Sequence, residues 1–147
     1  MMGGQKRIIL LCQLLIGLVL ASNLFAALTF IVAPQAYVAG FQLEGVPGIA
    51  AVVGIGILFM MWQVPYGFAL YDPTQHFISL NEAIIMQIFG LLGESLLYSK
   101  IEPSYWTLRL SIARFILFDG LGLALLIIAW AILSRIRQNL SNGGQNV

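Results

Sequence analysis

The stretch NEAIIMQIFGLLGESLLYSK, residues 81–100, is the most informative part of this chain for its fold. It is an apolar run long enough to cross a bilayer, yet it contains Glu82, Gln87 and Glu94. Because lipid offers no hydrogen bonds to backbone groups, such a run must form a helix or a strand of a closed barrel. The apolar residues do not alternate with polar ones. The stretch therefore predicts a transmembrane helix whose polar side chains find partners inside a bundle.

The whole chain has the composition of a membrane protein. Of its 147 residues, 60% are hydrophobic and 9% are charged, and its mean hydropathy is +0.93. Soluble domains contain about 25% charged residues. The net charge is +1 and no basic, aromatic-rich face is present, which excludes nucleic acid as a partner. We expect one integral membrane domain, residues 1–147, surrounded by the lipid bilayer.

Four apolar runs of about 20 residues or more predict an all-α, four-helix transmembrane bundle. The first run, of about 25 residues, is too long for the apolar core of a signal peptide, so we expect it to be retained. Prolines account for the breaks between runs, because they restrict the preceding residue and end helices. The polar, glycine-rich tail, residues 138–147, is predicted to be disordered. The predicted spans are residues 8–32, 47–70, 80–99 and 106–134.

Basic residues flank the predicted bundle at one end. Lys6 and Arg7 precede the first span, and Arg135 and Arg137 follow the last one. The first two connections between spans contain no Lys or Arg. An even number of spans leaves both termini on the same side, and the positive-inside tendency places that side in the cytoplasm. We expect a protein of the cell inner membrane with cytoplasmic N- and C-termini.

Few residues could support metal or thiol chemistry. Cys12 is the only cysteine and His76 the only histidine. This excludes an internal disulfide, a CxxC thiol relay and a His-rich metal site. His76 also lies in a predicted connection, far from the membrane carboxylates that a Ser/His/Asp triad would need. The sequence therefore predicts no catalytic and no metal-binding residue.

A layer of polar side chains is predicted near mid-membrane. In the hairpin of spans three and four, residues whose numbers sum to about 205 lie at similar depth, which places Asp119 beside Gln87. The same count across spans two and three places Gln63 level with Gln87, with Tyr66 within a turn. These four residues form the candidate ligand-binding site, and Asp119 is the candidate for protonation chemistry. Polar residues in bundles also stabilise specific helix pairs without a ligand. The layer is therefore either a ligand-binding site or a structural contact between helices.

Glu94 is predicted to form an ion pair. It falls level with residue 111, between Arg109 and Arg114. An isolated charge inside a membrane costs roughly 2.5 to 3.5 kcal/mol on insertion scales, so an unpaired Glu94 is unfavourable. We predict a salt bridge with Arg114, the deeper arginine, and assign Arg109 as the second partner.

Three local patterns add detail. Ser79 and Glu82 have the S-x-x-E spacing of a capping box at the start of span three. Pro65 predicts a kink in span two that would open space at the polar layer. Ala50 and Gly54 form a small-xxx-small pair, which is typical of close helix packing in membranes.

The stretch VAPQAYVAGFQLEGVPGIAAVVGIGILFMMWQVPYGFAL, residues 32–70, resembles the small four-helix membrane proteins of the DoxX-like group. In that group the end of span one, a proline, a short amphipathic segment with Gly-Phe and a Gly-rich second span follow in this order. The resemblance implies a four-helix fold. One branch of the group is associated with quinone-linked thiosulfate oxidation, and no catalytic residue carries over.

Three functions are consistent with these patterns. The sequence favours a non-catalytic accessory or docking component of a membrane complex, bound to another membrane protein or to copies of itself. The alternative is a quinone- or lipid-binding redox accessory subunit, with quinone as the cofactor in the polar layer. A further alternative is a proton-coupled carrier, which would titrate Asp119 or Glu94 and would need to dimerise for alternating access.

Overall fold

A computed structural model describes residues 2–143, and side chains from residue 4 to residue 138. Within this range the chain is helical and contains no strand, so the predicted all-α class is confirmed. The elements are α1 (Met2–Val32), α2 (Gln35–Val38), a 3₁₀ turn (Ala39–Phe41), α3 (Gly45–Tyr71), α4 (Phe77–Lys100) and α5 (Trp106–Gly143).

Four of these helices are long and apolar enough to cross a membrane. They are α1, α3, α4 and α5, and each contains one of the four predicted spans. Even the shortest, α4, has 24 residues, a length of about 36 Å that exceeds the hydrocarbon thickness of about 30 Å. Large apolar side chains such as Leu14 and Phe89, exposed by 62% and 72%, point away from the bundle. This surface fits contact with lipid.

The four long helices form a closed ring. Helix α1 packs against α3 and α5, and α4 packs against the same two helices. Neighbouring helices run antiparallel, so the bundle has two distinct ends. We define the distal end by the connections at residues 33–44 and 101–105, and the proximal end by the two chain termini and residues 72–76. The short helix α2 and the 3₁₀ turn lie at the distal end, against α3 and α5.

The bundle core differs between its two halves. The proximal half is filled by small and aliphatic residues, and the distal half by aromatic rings around Phe30, whose centroid lies 5.9 Å from that of Phe115 and 6.1 Å from that of Phe59. Lipid tails are as apolar as these side chains, so moving the side chains out of lipid stabilises little. The bundle is stabilised instead by the close van der Waals packing of these side chains. The proximal core comprises Cys12, Ile16, Val19, Leu80, Ala83, Leu126, Ala129 and Leu133.

Helices α1 and α3 approach each other closely at Gly56. A Cβ atom at this position would lie 2.9 Å from the backbone oxygen of Ala27 and 2.9 Å from Cβ of Phe30. Real Cβ atoms do not approach backbone that closely, so only glycine fits here without a shift of the helices.

The connection between α3 and α4 corrects one prediction. Oδ1 of Asp72 accepts hydrogen bonds from the Thr74 hydroxyl at 2.7 Å and from the backbone N–H groups of Thr74 and Gln75 at 3.0 Å. These bonds hold the pKa of the Asp72 carboxyl below its usual range. The turn lets α4 begin at Phe77, so Ser79 lies inside the helix and the predicted capping box is wrong.

The C-terminal end also differs from the prediction. Helix α5 continues to Gly143, because no proline or glycine interrupts the chain after residue 134 until that position. The first part of the predicted disordered tail is therefore helical. Residues 144–147 lie outside the described part of the chain.

Candidate functional site

Each of the four long helices contributes polar side chains to one layer inside the bundle. On the α1 and α3 side, Nδ2 of Asn23 donates a hydrogen bond to Oε1 of Gln63 at 3.2 Å. Nε2 of Gln63 in turn donates to the backbone oxygen of Phe59 at 2.8 Å. Both side chains are buried. Together they fix the register of α1 against α3.

A second set of hydrogen bonds joins α3, α4 and α5 at the same depth. The Tyr66 hydroxyl lies 2.5 Å from Oε1 of Gln87 and 3.1 Å from the backbone oxygen of Ala83. Nε2 of Gln87 donates to Oδ1 of Asp119 at 3.0 Å. The amide of Gln87 therefore bridges a donor on one neighbouring helix and an acceptor on the other. The structure thus brings together the four residues of the predicted polar layer.

Two glycines make room for this second set. A Cβ atom at Gly122 on α5 would lie 2.9 Å from Nε2 of Gln87. A Cβ atom at Gly90 on α4 would collide with the carboxylate of Asp119. The absence of a side chain at both positions lets α4 and α5 approach closely enough for the amide and the carboxylate to meet.

The space left between these polar side chains is small. It amounts to about 20 Å³, which is room for roughly one water molecule, whereas small-molecule sites measure about 300 to 1,000 Å³. Pro65 lies within continuous helix α3, and the opening that it was predicted to create is limited to this void. A quinone ring does not fit here. The void is lined by Asn23, Phe59, Trp62, Gln63, Tyr66, Met86, Gln87 and Asp119.

The polar layer lies across the bundle, at one depth along the four helices. Toward the proximal end it meets the aliphatic core, including Val19 and Ala83. Toward the distal end it meets the aromatic rings of Phe30, Phe59 and Phe115. Apolar side chains therefore bound the layer on both sides.

The predicted ion pair of Glu94 is wrong. Within the described part of the chain, no ion pair joins this carboxylate to Arg109 or Arg114, and its Oε2 atom is buried without a hydrogen-bond partner. Arg109 instead donates to the backbone oxygens of Tyr98 and Ile101, and its guanidinium lies 4.1 Å from the Tyr98 ring centroid. It satisfies carbonyls at the end of α4, which lack helical partners.

Arg114 misses Glu94 because equal depth does not imply the same helix face. The two arginines are five residues apart, which separates them by about 140° around α5. Arg114 is exposed and lies on the side of α5 that faces α1 and the 3₁₀ turn, away from α4.

A larger cavity lies at the distal end, between α1, α5 and the covering segment formed by α2 and the 3₁₀ turn. Its volume is about 340 Å³. We call this cavity the distal groove. Sequence reasoning did not identify it, although aromatic residues are concentrated at positions 25–41 and 115–118. Its lining comprises Phe25, Ala26, Thr29, Phe30, Ala36, Tyr37, Gly40, Phe41, Ser111, Arg114, Phe115 and Phe118.

Asn23 was also missed by sequence reasoning. The count applied to the other hairpins would not have found it, because across spans one and two it places Gln63 level with residue 16, seven residues from Asn23. Gln13 is a second example, since its Nε2 atom donates to the backbone oxygen of Leu70 at 3.0 Å. Both amides lie within a predicted span, and their polarity in an apolar run was the available signal.

The chain matches no protein-family model, no curated protein and no solved structure. The resemblance of residues 32–70 to the DoxX-like group stays a prediction. The function is therefore inferred from the residues and their geometry.

Proposed function

We propose that the chain is a non-catalytic accessory component of a membrane complex that docks through its lipid-facing helices. The observation that carries this proposal is the polar layer, whose side chains bond to one another or to the backbone and leave about 20 Å³ of space. Polar groups that could serve chemistry are thus used to hold four helices in register. The basic residues beside both termini support an inner-membrane location with cytoplasmic termini.

The outward face of α3 supports docking. A Cβ atom at Gly54 would meet no other atom within 4 Å, and Ala50, one turn earlier, is exposed. Glycine in a helix costs about 1 kcal/mol relative to alanine, and contact with lipid does not offset that cost. Small residues four positions apart let a second helix approach closely. A partner helix crossing α3 at this pair would explain both residues.

A size-exclusion experiment tests this proposal. The full-length protein is extracted in a mild detergent, and its mass and co-eluting proteins are determined by light scattering and mass spectrometry. We expect the wild type to elute as a complex with another membrane protein or with copies of itself. The variant Gly54→Leu, which adds bulk to the outward face at a position where a Cβ atom meets no other atom within 4 Å, should lose that complex.

The matched control is Ala124→Leu, which adds bulk at an exposed position of α5. This variant should keep the complex. A wild-type protein that elutes as a lone monomer would contradict docking, and so would a Gly54→Leu variant that retains its partner.

Lipid binding is the second candidate function, and the distal groove is the observation that favours it. At about 340 Å³ the groove falls within the size range of small-molecule sites. The site residues predicted for quinone, Gln63 and Gln87 among them, do not line it.

A further inference from the structure

The segment that covers the distal groove is held in place by contacts with α5. The Ser111 hydroxyl donates a hydrogen bond of 2.7 Å to the backbone oxygen of Gly40, which holds the 3₁₀ turn against α5. A Cβ atom at Gly40 would lie 3.1 Å from the same hydroxyl, so the turn and the helix are in close contact. The groove opens toward lipid at Phe25, which is 71% exposed. A lipid chain could therefore enter from the side.

The wall of the groove is aromatic and already packed. The ring centroids of Phe30 and Tyr37 lie 4.6 Å apart, and those of Phe41 and Phe115 lie 6.0 Å apart. Rings at these distances support one another, so the wall does not depend on a ligand for its shape. Such a surface accepts an apolar chain.

One cation faces this apolar wall. Arg114 lines the groove, is exposed, and forms neither a hydrogen bond nor an ion pair with the other described side chains. Its position is about 12 Å along α5 from the helix start and one turn deeper than Ser111. A guanidinium keeps its charge at every relevant pH. A guanidinium inside a bilayer is stabilised by an anionic partner.

The protein's own membrane carboxylates do not supply that anion. Glu94 is on α4 and does not pair with Arg114, and Asp119 is bonded to Gln87. Among the described residues no carboxylate forms an ion pair with Arg114, so a partner anion would come from outside them. A phosphate group suits it, because two guanidinium N–H groups bind two phosphate oxygens in a planar, bidentate arrangement. A quinone head group is neutral and would leave the charge uncompensated.

We propose that the distal groove binds an anionic phospholipid, with an acyl chain against the phenylalanine wall and the phosphate oxygens at Arg114. An anionic head group is favoured over a zwitterionic one, since the latter adds its own ammonium beside the arginine. This site goes beyond the docking proposal and is independent of it, because Gly54 lies on α3 outside the groove.

The test is retention of defined lipids by the full-length protein. Protein reconstituted in nanodiscs with equal amounts of palmitoyl-oleoyl phosphatidylglycerol and phosphatidylcholine is released into a mild detergent. Native mass spectrometry then counts the lipids that stay bound. Arg114→Gln removes the charge, Arg114→Lys keeps it without the bidentate geometry, and Ala26→Phe fills the groove. Arg135→Gln and Ala124→Phe are controls for overall charge and for added bulk outside the groove.

We expect the wild type to retain about one phosphatidylglycerol per chain and little phosphatidylcholine. Retention of phosphatidylglycerol should fall at least about tenfold in Arg114→Gln and Ala26→Phe, and less in Arg114→Lys. The two controls should match the wild type. Circular dichroism verifies that each variant is folded, and the lipid preference of the wild type tests the site even where a variant is not.

Three results would overturn the proposal. Equal retention of both lipids by the wild type would remove the role of the head group. Unchanged phosphatidylglycerol binding in folded Arg114→Gln would remove the role of the arginine. A quinone recovered from the membrane-purified wild type, but not from Ala26→Phe, would assign the groove to a different ligand.

Discussion

Nε2 of Gln87 on α4 lies 3.0 Å from Oδ1 of Asp119 on α5. The other end of the same amide accepts from Tyr66 on α3. A single side chain thus joins three helices in a layer that has room for about one water. Replacing this side chain should therefore lower the stability of the whole bundle.

Replacing Gln87 by methionine should lower the free energy of unfolding. The change roughly preserves side-chain length but leaves Asp119 without its amide partner in an apolar surrounding, a loss of about 1 to 3 kcal/mol. Unfolding by sodium dodecyl sulfate, followed by tryptophan fluorescence, measures the change. Ile85→Met, at a position of α4 that is 52% exposed, should shift stability by less than about 0.5 kcal/mol. Equal stability of the two variants would exclude a stabilising role for the amide.

Two glycines of α3 should respond in opposite ways to alanine. Gly56→Ala forces a Cβ atom to within 2.9 Å of the Ala27 backbone oxygen, which should destabilise the bundle by about 1 to 3 kcal/mol. Gly54→Ala enters open space and should be neutral or stabilising by up to about 1 kcal/mol. Thermal unfolding in detergent compares the two. A stable Gly56→Ala protein would mean that α1 and α3 do not cross closely at this point.

Replacing each of Arg109 and Arg114 on α5 should change the stability of the protein by different amounts. Arg109→Gln removes the bonds to the carbonyls of Tyr98 and Ile101, and we expect a loss of about 1.5 to 3 kcal/mol. Arg114→Gln removes no bond within the described residues and should leave stability unchanged in detergent that is free of phospholipid. The midpoint of thermal unfolding is the readout. A larger decrease of this midpoint in Arg114→Gln than in Arg109→Gln would contradict the conclusion that Arg109 is the arginine bonded within the bundle.

Glu94→Gln should not destabilise the protein. The Oε2 atom is buried without a partner, so the neutral amide replaces a carboxyl group that no cation compensates. Breaking a buried ion pair would instead cost about 3 to 5 kcal/mol. The unfolding midpoint in sodium dodecyl sulfate distinguishes the two cases. A large decrease in this midpoint would indicate that Glu94 does form an ion pair.

Asp72 should contribute stability that depends on pH. Its hydrogen bonds from Thr74 and Gln75 lower the pKa of the folded-state carboxyl. The contribution is therefore complete above the unfolded pKa of about 4 and is lost as the pH falls through the lower folded value. Asp72→Ala should be less stable than the wild type at pH 7, and this difference should shrink below about pH 4. A difference that is constant from pH 7 to pH 3 would contradict the role of the carboxylate.

Depth within the hairpin of α4 and α5 was predictable from the sequence. Apolar run lengths and prolines located the four spans, and the contacts between Gln87 and Asp119 and between Tyr98 and Arg109 lie within about two residues of the counted register. Depth changes by only about 1.5 Å per residue, so a small counting error has little effect.

The direction of a side chain around its helix was not predictable in the same way. Each residue rotates it by about 100°, and the face that meets a neighbour depends on the order of helices in the ring. Arg114 therefore has the right depth for Glu94 but the wrong face. The distal groove escaped prediction because residues 33–44 have no clear periodicity, and only their contact with α5 closes the cavity.

The hydroxyl of Tyr66 has a consequence for biogenesis. Helices α1 and α3 emerge from the ribosome first, and the hydrogen bond between their amides, Asn23 and Gln63, needs no later part of the chain. The acceptors of the Tyr66 hydroxyl, in contrast, belong to the half that is translated later. Until α4 is inserted, the Tyr66 hydroxyl therefore lacks both of these acceptors, and the face of α3 that carries it is the face that the second hairpin covers.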